Sequence, residues 1–240
     1  MNYKIKLVHI LTRPEDERER RSIASLSPLQ EFGIQYVQHT NAPHENPHLG
    51  CFLAHKRAIT ECFSDDLDFL LVCECDCVLK LRPEAFVRSL KHFCNIILNS
   101  GISALGIGSN GFDVIEKNGI YICRLMTAAH CVLYPRNKRD DIFHALATVP
   151  WLPYDVWLCK AFGITKSLAV TEKRLAIQAD GFSIVDGYIK EFDWTTTGIG
   201  ALPPEHSVVY NKDPEEYLRT IGVKPATKEN SPILKRNSPS

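Results

Sequence analysis

The run Phe69-Leu70-Leu71-Val72-Cys73 restricts the fold of this chain more than any other feature. Five apolar residues in succession leave a strand no polar side, so it suits a sheet covered on both faces by helices. Strand-like segments alternating with helix-like segments run through most of the sequence, which indicates an α/β domain. The apolar run ends in Glu74-Cys75-Asp76, two acids one residue apart.

Lys4 to Leu11 reads as the first strand. Pro14 to Arg21 is a charged turn that enters a helix running to about Phe32, with Gly33 at its C-terminal end. Arg18, Arg20 and Arg21 read as a solvated helix face. Ile34 to Thr40 alternates like a second strand. Residues 41–50 are rich in turn formers and read as a loop. From Gly50 to Phe63, residues Cys51, His55, Ala58, Ile59 and Cys62 share one face at helical spacing. Pro83 opens another helix, with Phe86, Leu90, Phe93 and Ile97 on one stripe. Further strands are expected around 103–108, 121–124, 128–134 and 166–170. Helices are expected from Pro135 to Ala147 and from about Asp155. Residues 1–219 form the expected domain, and 220–240 are polar and proline-rich, as in a disordered tail.

Basic and acidic residues balance at 28 each, so the formal net charge is zero. The whole chain therefore has no electrostatic footprint for nucleic acid or an anionic membrane. No stretch approaches the roughly 20 apolar residues of a membrane span. The first apolar run is short and interrupted by Lys6, unlike a signal peptide. The expected setting is the cytoplasm. The nine cysteines sit mostly within apolar runs. An odd number without a secretory signal fits buried thiols in a reducing compartment.

If the strand continued through residue 77, the cysteines would face one way and Glu74 and Asp76 the other. Both acids would project from the C-terminal end of a buried strand, where ligands bind in open α/β sheets. Carboxylates suit Mg²⁺ or Mn²⁺. Zinc held by Cys73, Cys75 and Cys77 is the alternative, although C-x-C-x-C departs from the usual paired spacing of zinc sites.

Several segments, in order, resemble glycosyltransferase family 25, which includes lipooligosaccharide and collagen-type galactosyltransferases. "VHILTRPEDERERR" is similar to the family's opening strand, I-N-L-x-R followed by further arginines. "LGCFLAHKRAI" resembles G-C-x-x-S-H-x-x-x-W, keeping Gly50, Cys51 and His55, with Ala54 for the serine and no tryptophan. "LLVCECDCVL" resembles I-L-E-D-D-A-I-L, with Glu74 and Asp76 on the first and third acids and Cys75 on the second. "MTAAHCVLYPR" resembles G-T-H-A-Y-L-I-S-R and places His130 on the motif histidine. "PYDVWL" resembles P-V-D-x-x-L, and "QADGFSIVDG" resembles the family's late glutamine-and-serine segment. The resemblance spans roughly residues 5 to 187.

The resemblance implies a GT-A type nucleotide-binding fold, a Rossmann-like mixed sheet flanked by helices. It also implies a metal-dependent enzyme of glycan or lipopolysaccharide biosynthesis. Such an enzyme transfers a hexose, with galactose or glucose favoured, from a UDP-sugar to an acceptor hydroxyl with inversion. The acceptor would be a glycan, a lipid-linked sugar or another hydroxyl compound. Asp76 and Glu74 would face Mn²⁺ or Mg²⁺, with His206 as a late third ligand. Asp155 would be the base, with Asp180 as the fallback. Thr12, Arg13, His55, Glu74, His130, Gln178 and Ser183 would line the donor site. A nucleotide-sugar-binding protein without turnover is the competing reading on the same fold.

Overall fold

In a computed structural model of the chain, residues 3–179 are described, together with the backbone of two short strands at 181–183 and 188–190. The elements in order are β1 (Ile5–Leu11), α1 (Glu17–Leu26), β2 (Gln35–Thr40), α2 (Pro47–Cys62), β3 (Phe69–Cys73) and β4 (Cys77–Leu79). They continue as α3 (Pro83–Leu98), β5 (Ala104–Gly106), β6 (Asn110–Lys117), β7 (Ile120–Thr127), β8 (Cys131–Pro135) and α4 (Arg139–Thr148). Last come α5 (Tyr154–Leu158), β9 (Leu168–Val170), β10 (Ala176–Gln178), β11 (Gly181–Ser183) and β12 (Tyr188–Lys190). The expected residues Asp180 and His206 and the tail at 220–240 lie outside the described residues, and of Ser183 only the strand backbone is described.

The main sheet has eight strands in the order β2-β1-β3-β8-β5-β9-β7-β6. It is mixed: β1 runs parallel to β2 and β3, β5 runs parallel to β9, and the other pairings are antiparallel. The α/β class read from the sequence is the class found.

All five residues of β3 are buried, as the apolar run requires. Leu70 and Val72 belong to a core with Phe52, Ala58 and Ile59 of α2 and Trp157 of α5. Phe69, Leu71 and Cys73 belong to the opposite core, with Leu26 of α1 and Phe86, Leu90 and Ile97 of α3. Alternate side chains of one strand therefore hold two helical layers apart.

Several local expectations change. Residues 47–50 are helical, because the Asn46 side chain accepts from Leu49 N at 3.1 Å and Pro47 takes the first helical turn. The strand through residue 77 is broken: Cys77 N donates to Glu74 O at 3.0 Å, so Glu74-Cys75-Asp76 form a turn between β3 and β4. β6 was not anticipated. Its outer half is mostly exposed at the sheet edge, so the apolar content that marks a buried strand is missing there. α5 is one short turn that widens into a π-helical stretch at Cys159–Gly163. A Cβ at position 163 would run into the Arg124 carbonyl, so this close approach requires glycine. Among the described residues no helix is long and apolar enough to cross a membrane.

Candidate active site

The strand order creates the site. From β1 the chain passes through α1, whose Leu26 packs on one face of the sheet, to β2 on one side of β1. It then passes through α2, whose Phe52 and Ile59 pack on the other face, to β3 on the opposite side of β1. Such a reversal opens a crevice beyond the C-terminal ends of β1 and β3. A cavity of about 460 Å³ lies there, lined by the segment after β1, residues 41–55, the turn after β3, residues 127–128, α5 and Gln178.

Glu19 shapes the segment after β1. It is buried, and its carboxylate accepts the backbone N–H of Thr12 at 3.0 Å and of Arg13 at 2.9 Å. Burial raises its pKa, although those N–H groups pull the other way. Thr12 and Arg13 both line the cavity. Arg20 and Arg21 are exposed, as expected for a solvated face, but Arg18 departs from that reading. Its Nη2 sits 2.6 Å from Asp76 Oδ2 and its Nε donates to Ala179 O at 3.0 Å. One helical turn thus supplies a loop anchor, Glu19, and a largely buried cation, Arg18.

The two acids of the turn share the cavity but have different partners. Glu74 Oε1 lies 2.9 Å from His55 Nε2 and 3.6 Å from Cys51 Sγ, both on α2. Burial pushes the Glu74 pKa up, but the His55 hydrogen bond and the charges of His55 and His130 outweigh it and hold the group below the usual value. Asp76 is pushed up to about 6 by burial and by the Glu74 charge, against the opposing pull of Arg18. Gln178 Nε2 approaches Asp76 Oδ2 at 3.4 Å, and Asp76 O accepts from Ala179 N at 2.7 Å. Asp76 Oδ1 is buried and has no hydrogen-bond partner. That orphaned oxygen fits a cation approaching from the cavity. The donor atoms of Cys51, His55 and Glu74 also lie within 4.8 Å of one another and form a second group able to hold a metal.

Asp155 lies in the first turn of α5, where it does not act as the N-cap; that position belongs to Pro153. Its Oδ2 accepts from Ala128 N at 2.8 Å, fixing a residue with φ of 58°. Burial first, and then the Glu74 charge, raise its pKa to about 6. Its neighbour Tyr154 stacks on the His55 ring, with centroids 3.5 Å apart and planes 15° apart. Tyr154 also hydrogen-bonds Tyr134 of β8. The wall that carries Asp155 is therefore tied to the wall that carries Glu74.

Of the residues expected from the sequence, Thr12, Arg13, His55, Glu74, Asp76, Asp155 and Gln178 line this cavity. His130 is fully buried behind it, packed where Gly108 leaves no room for a Cβ. The trio of the alternative zinc reading, Cys73, Cys75 and Cys77, is not brought together. The turn sends Cys75 to the cavity wall, while Cys73 and Cys77 point into the core beside Cys131. Sequence reasoning missed Arg18, Glu19 and Tyr154 as site residues. For Glu19 a signal existed, an acid in the first turn of a helix directly after a strand, but the N–H groups of Thr12 and Arg13 that it holds are main-chain atoms that carry no side-chain pattern.

No family model matches the chain, and no curated protein matches it in sequence. Among solved structures, it is similar to a glycosyltransferase involved in glycosylation of the major capsid of PBCV-1. That likeness has 10% identity and a TM-score of 0.47, over 70% of this chain and 80% of the other. It is also similar to mannose-1-phosphate geranyltransferase from Thermus thermophilus, with 10% identity and a TM-score of 0.37, over 71% and 74% of the two chains. Likenesses this distant leave the chemistry to be read from the cavity's own residues.

Proposed function

We propose that this chain is a glycosyltransferase of the family 25 type, transferring a hexose, galactose or glucose, from a UDP-sugar to an acceptor hydroxyl with inversion. One observation carries the reading. Segments far apart in the sequence, each resembling a family motif, contribute Arg13, His55, Glu74, Asp76, Asp155 and Gln178 to one cavity. The catalytic unit lies within residues 1–219, and the acceptor is a glycan, a lipid-linked sugar or another hydroxyl compound.

The demands of the reaction match the charges available. The leaving diphosphate gains negative charge as the glycosidic bond breaks. Arg13 at the rim and Arg18 within supply positive charge on the side of the cavity formed after β1. Asp76, with an unpartnered oxygen, and Glu74 would hold Mn²⁺ or Mg²⁺. When bound, that ion would offset charge on the diphosphate. Asp155 is the acceptor's base: raised to about 6, its carboxylate is ionised near neutrality yet basic enough to take a hydroxyl proton. The Ala128 N–H holds one of its oxygens in place.

Melting temperature and donor hydrolysis, measured across nucleotides and nucleotide-sugars with and without Mn²⁺, test the reading. A shift with UDP that needs the metal and disappears in Asp76→Asn supports it. Absence of any nucleotide effect overturns it. A second reading, nucleotide-sugar binding without turnover, is favoured by two features. Cys75 stands where the resemblance places an acid, and Arg18 already compensates Asp76. Stabilisation by UDP-sugar with no hydrolysis or transfer to any acceptor selects it.

A further inference from the structure

Cys73 at the end of β3, Cys77 at the start of β4 and Cys131 at the start of β8 meet beneath the acid turn. All three are completely buried. Their sulfurs lie within 4.8 Å of one another, and those of Cys73 and Cys131 are 3.6 Å apart. Cys73 and Cys131 are direct partners across antiparallel strands. Cys77 is brought alongside by the turn, and its carbonyl is held by the Ser22 hydroxyl at 2.5 Å. The surroundings are the apolar core that includes Leu71, Ile107 and Leu133.

We propose that Cys73, Cys77 and Cys131 form a three-thiolate site for a thiophilic d¹⁰ cation, Zn²⁺ or Cu(I). Thiolates select such ions over Mg²⁺, Ca²⁺ and Mn²⁺. Sulfurs around one ion at about 2.3 Å stand roughly 3.8 Å apart, so the existing spacing closes by at most about 1 Å. Among the described residues no other cysteine, histidine or carboxylate joins this group. Loading proceeds as three S–H bonds exchanged for three S–metal bonds, with three protons released and no change in oxidation state. The site uses none of the cavity's donors, so it stands apart from the transferase reading. Because Cys73 and Cys77 bracket Glu74-Cys75-Asp76, the bound ion clamps the base of that turn to β8.

The test uses the full reduced chain, kept without oxygen, loaded separately with Zn²⁺ and with Cu(I), passed through gel filtration and analysed for metal. About one equivalent of one ion per chain is expected. Cys131→Ser and Cys73→Ser should lower it at least tenfold, while Cys75→Ser leaves it in place. Since a serine in the core can impair folding, the wild-type chain gives a second readout. Pulse alkylation in moderate urea should find Cys73, Cys77 and Cys131 protected by the ion and Cys51 and Cys75 not. Failure to retain either ion overturns the proposal. So does retention that survives Cys131→Ser, or protection of Cys51 and Cys75 instead, which would put the ion in the cavity.

Discussion

Arg18 and Asp76, 58 residues apart in sequence, meet at 2.6 Å at the floor of the cavity. The pair is nearly buried, and Asp76 is still pushed up to about 6. Burial and the neighbouring Glu74 charge therefore outweigh what one guanidinium returns. Arg18→Gln removes the compensation and leaves a buried charge. The expected cost is about 3 kcal/mol or more at pH 8. The sign follows from linkage: without Arg18 the folded-state pKa of Asp76 rises further above the unfolded value. The penalty is then full above the folded pKa and fades as pH falls and the carboxyl protonates. Urea unfolding of the variant at pH 8 and pH 5 should give the larger deficit at pH 8.

Asp155→Asn separates stability from activity. Asparagine keeps an oxygen for the Ala128 N–H and loses the charge. A carboxyl raised from its usual value to about 6 weakens the fold progressively between those two pH values, and by a constant amount above them. At pH 8 the variant should melt higher than the parent, a gain of roughly 1–3 kcal/mol. With Asp155 in its proposed role as the base, transfer should fall about 10²- to 10⁴-fold. In the parent, the rate should rise with pH through about 6 and lose that limb in the variant.

His55→Leu leaves Glu74 Oε1 without its imidazole partner and removes the ring that stacks on Tyr154. Because His55 holds the Glu74 pKa down, its loss lets burial raise it, so ionised Glu74 becomes costly at neutral pH. A drop of about 1–3 kcal/mol in stability at pH 7 is expected. Nucleotide affinity should weaken with it. His55→Gln, which restores a donor, should recover part of both in calorimetric titration and urea melts.

Gly108→Ala tests the floor behind the acids. The new methyl would collide with the Ala176 backbone carbonyl and the His130 ring. Ala176 lies in β10, the strand that carries Gln178. Overpacking of this kind costs about 1–3 kcal/mol. The Tm should fall, and Asp76-dependent nucleotide binding should fall more than in a Tm-matched core variant at Ile97, which does not line the cavity.

The sequence made the frame legible because burial writes itself in side chains. The β3 run is apolar throughout because both its faces are covered, and α3 carries its stripe because one face is. The acid pair and Asp155 were legible as residues, but their separate partners were not. The break after Cys73 depends on a backbone hydrogen bond from Cys77 to Glu74, which any residue at those positions can make. The departure of Cys75 from its neighbours follows from that turn. Arg18 resembled Arg20 and Arg21 because α1 is charged on several sides; only the position of β3 beside β1 decides which arginine meets Asp76.

The grip of Glu19 on Thr12 and Arg13 has a consequence for how such a site can diverge. The contacts are to main-chain N–H groups alone. The path of the rim is thus set from within the helix, and the side chains at positions 12 and 13 carry none of the work of holding it. A lineage can exchange those two side chains, and so adjust what the rim greets, while inheriting the same loop.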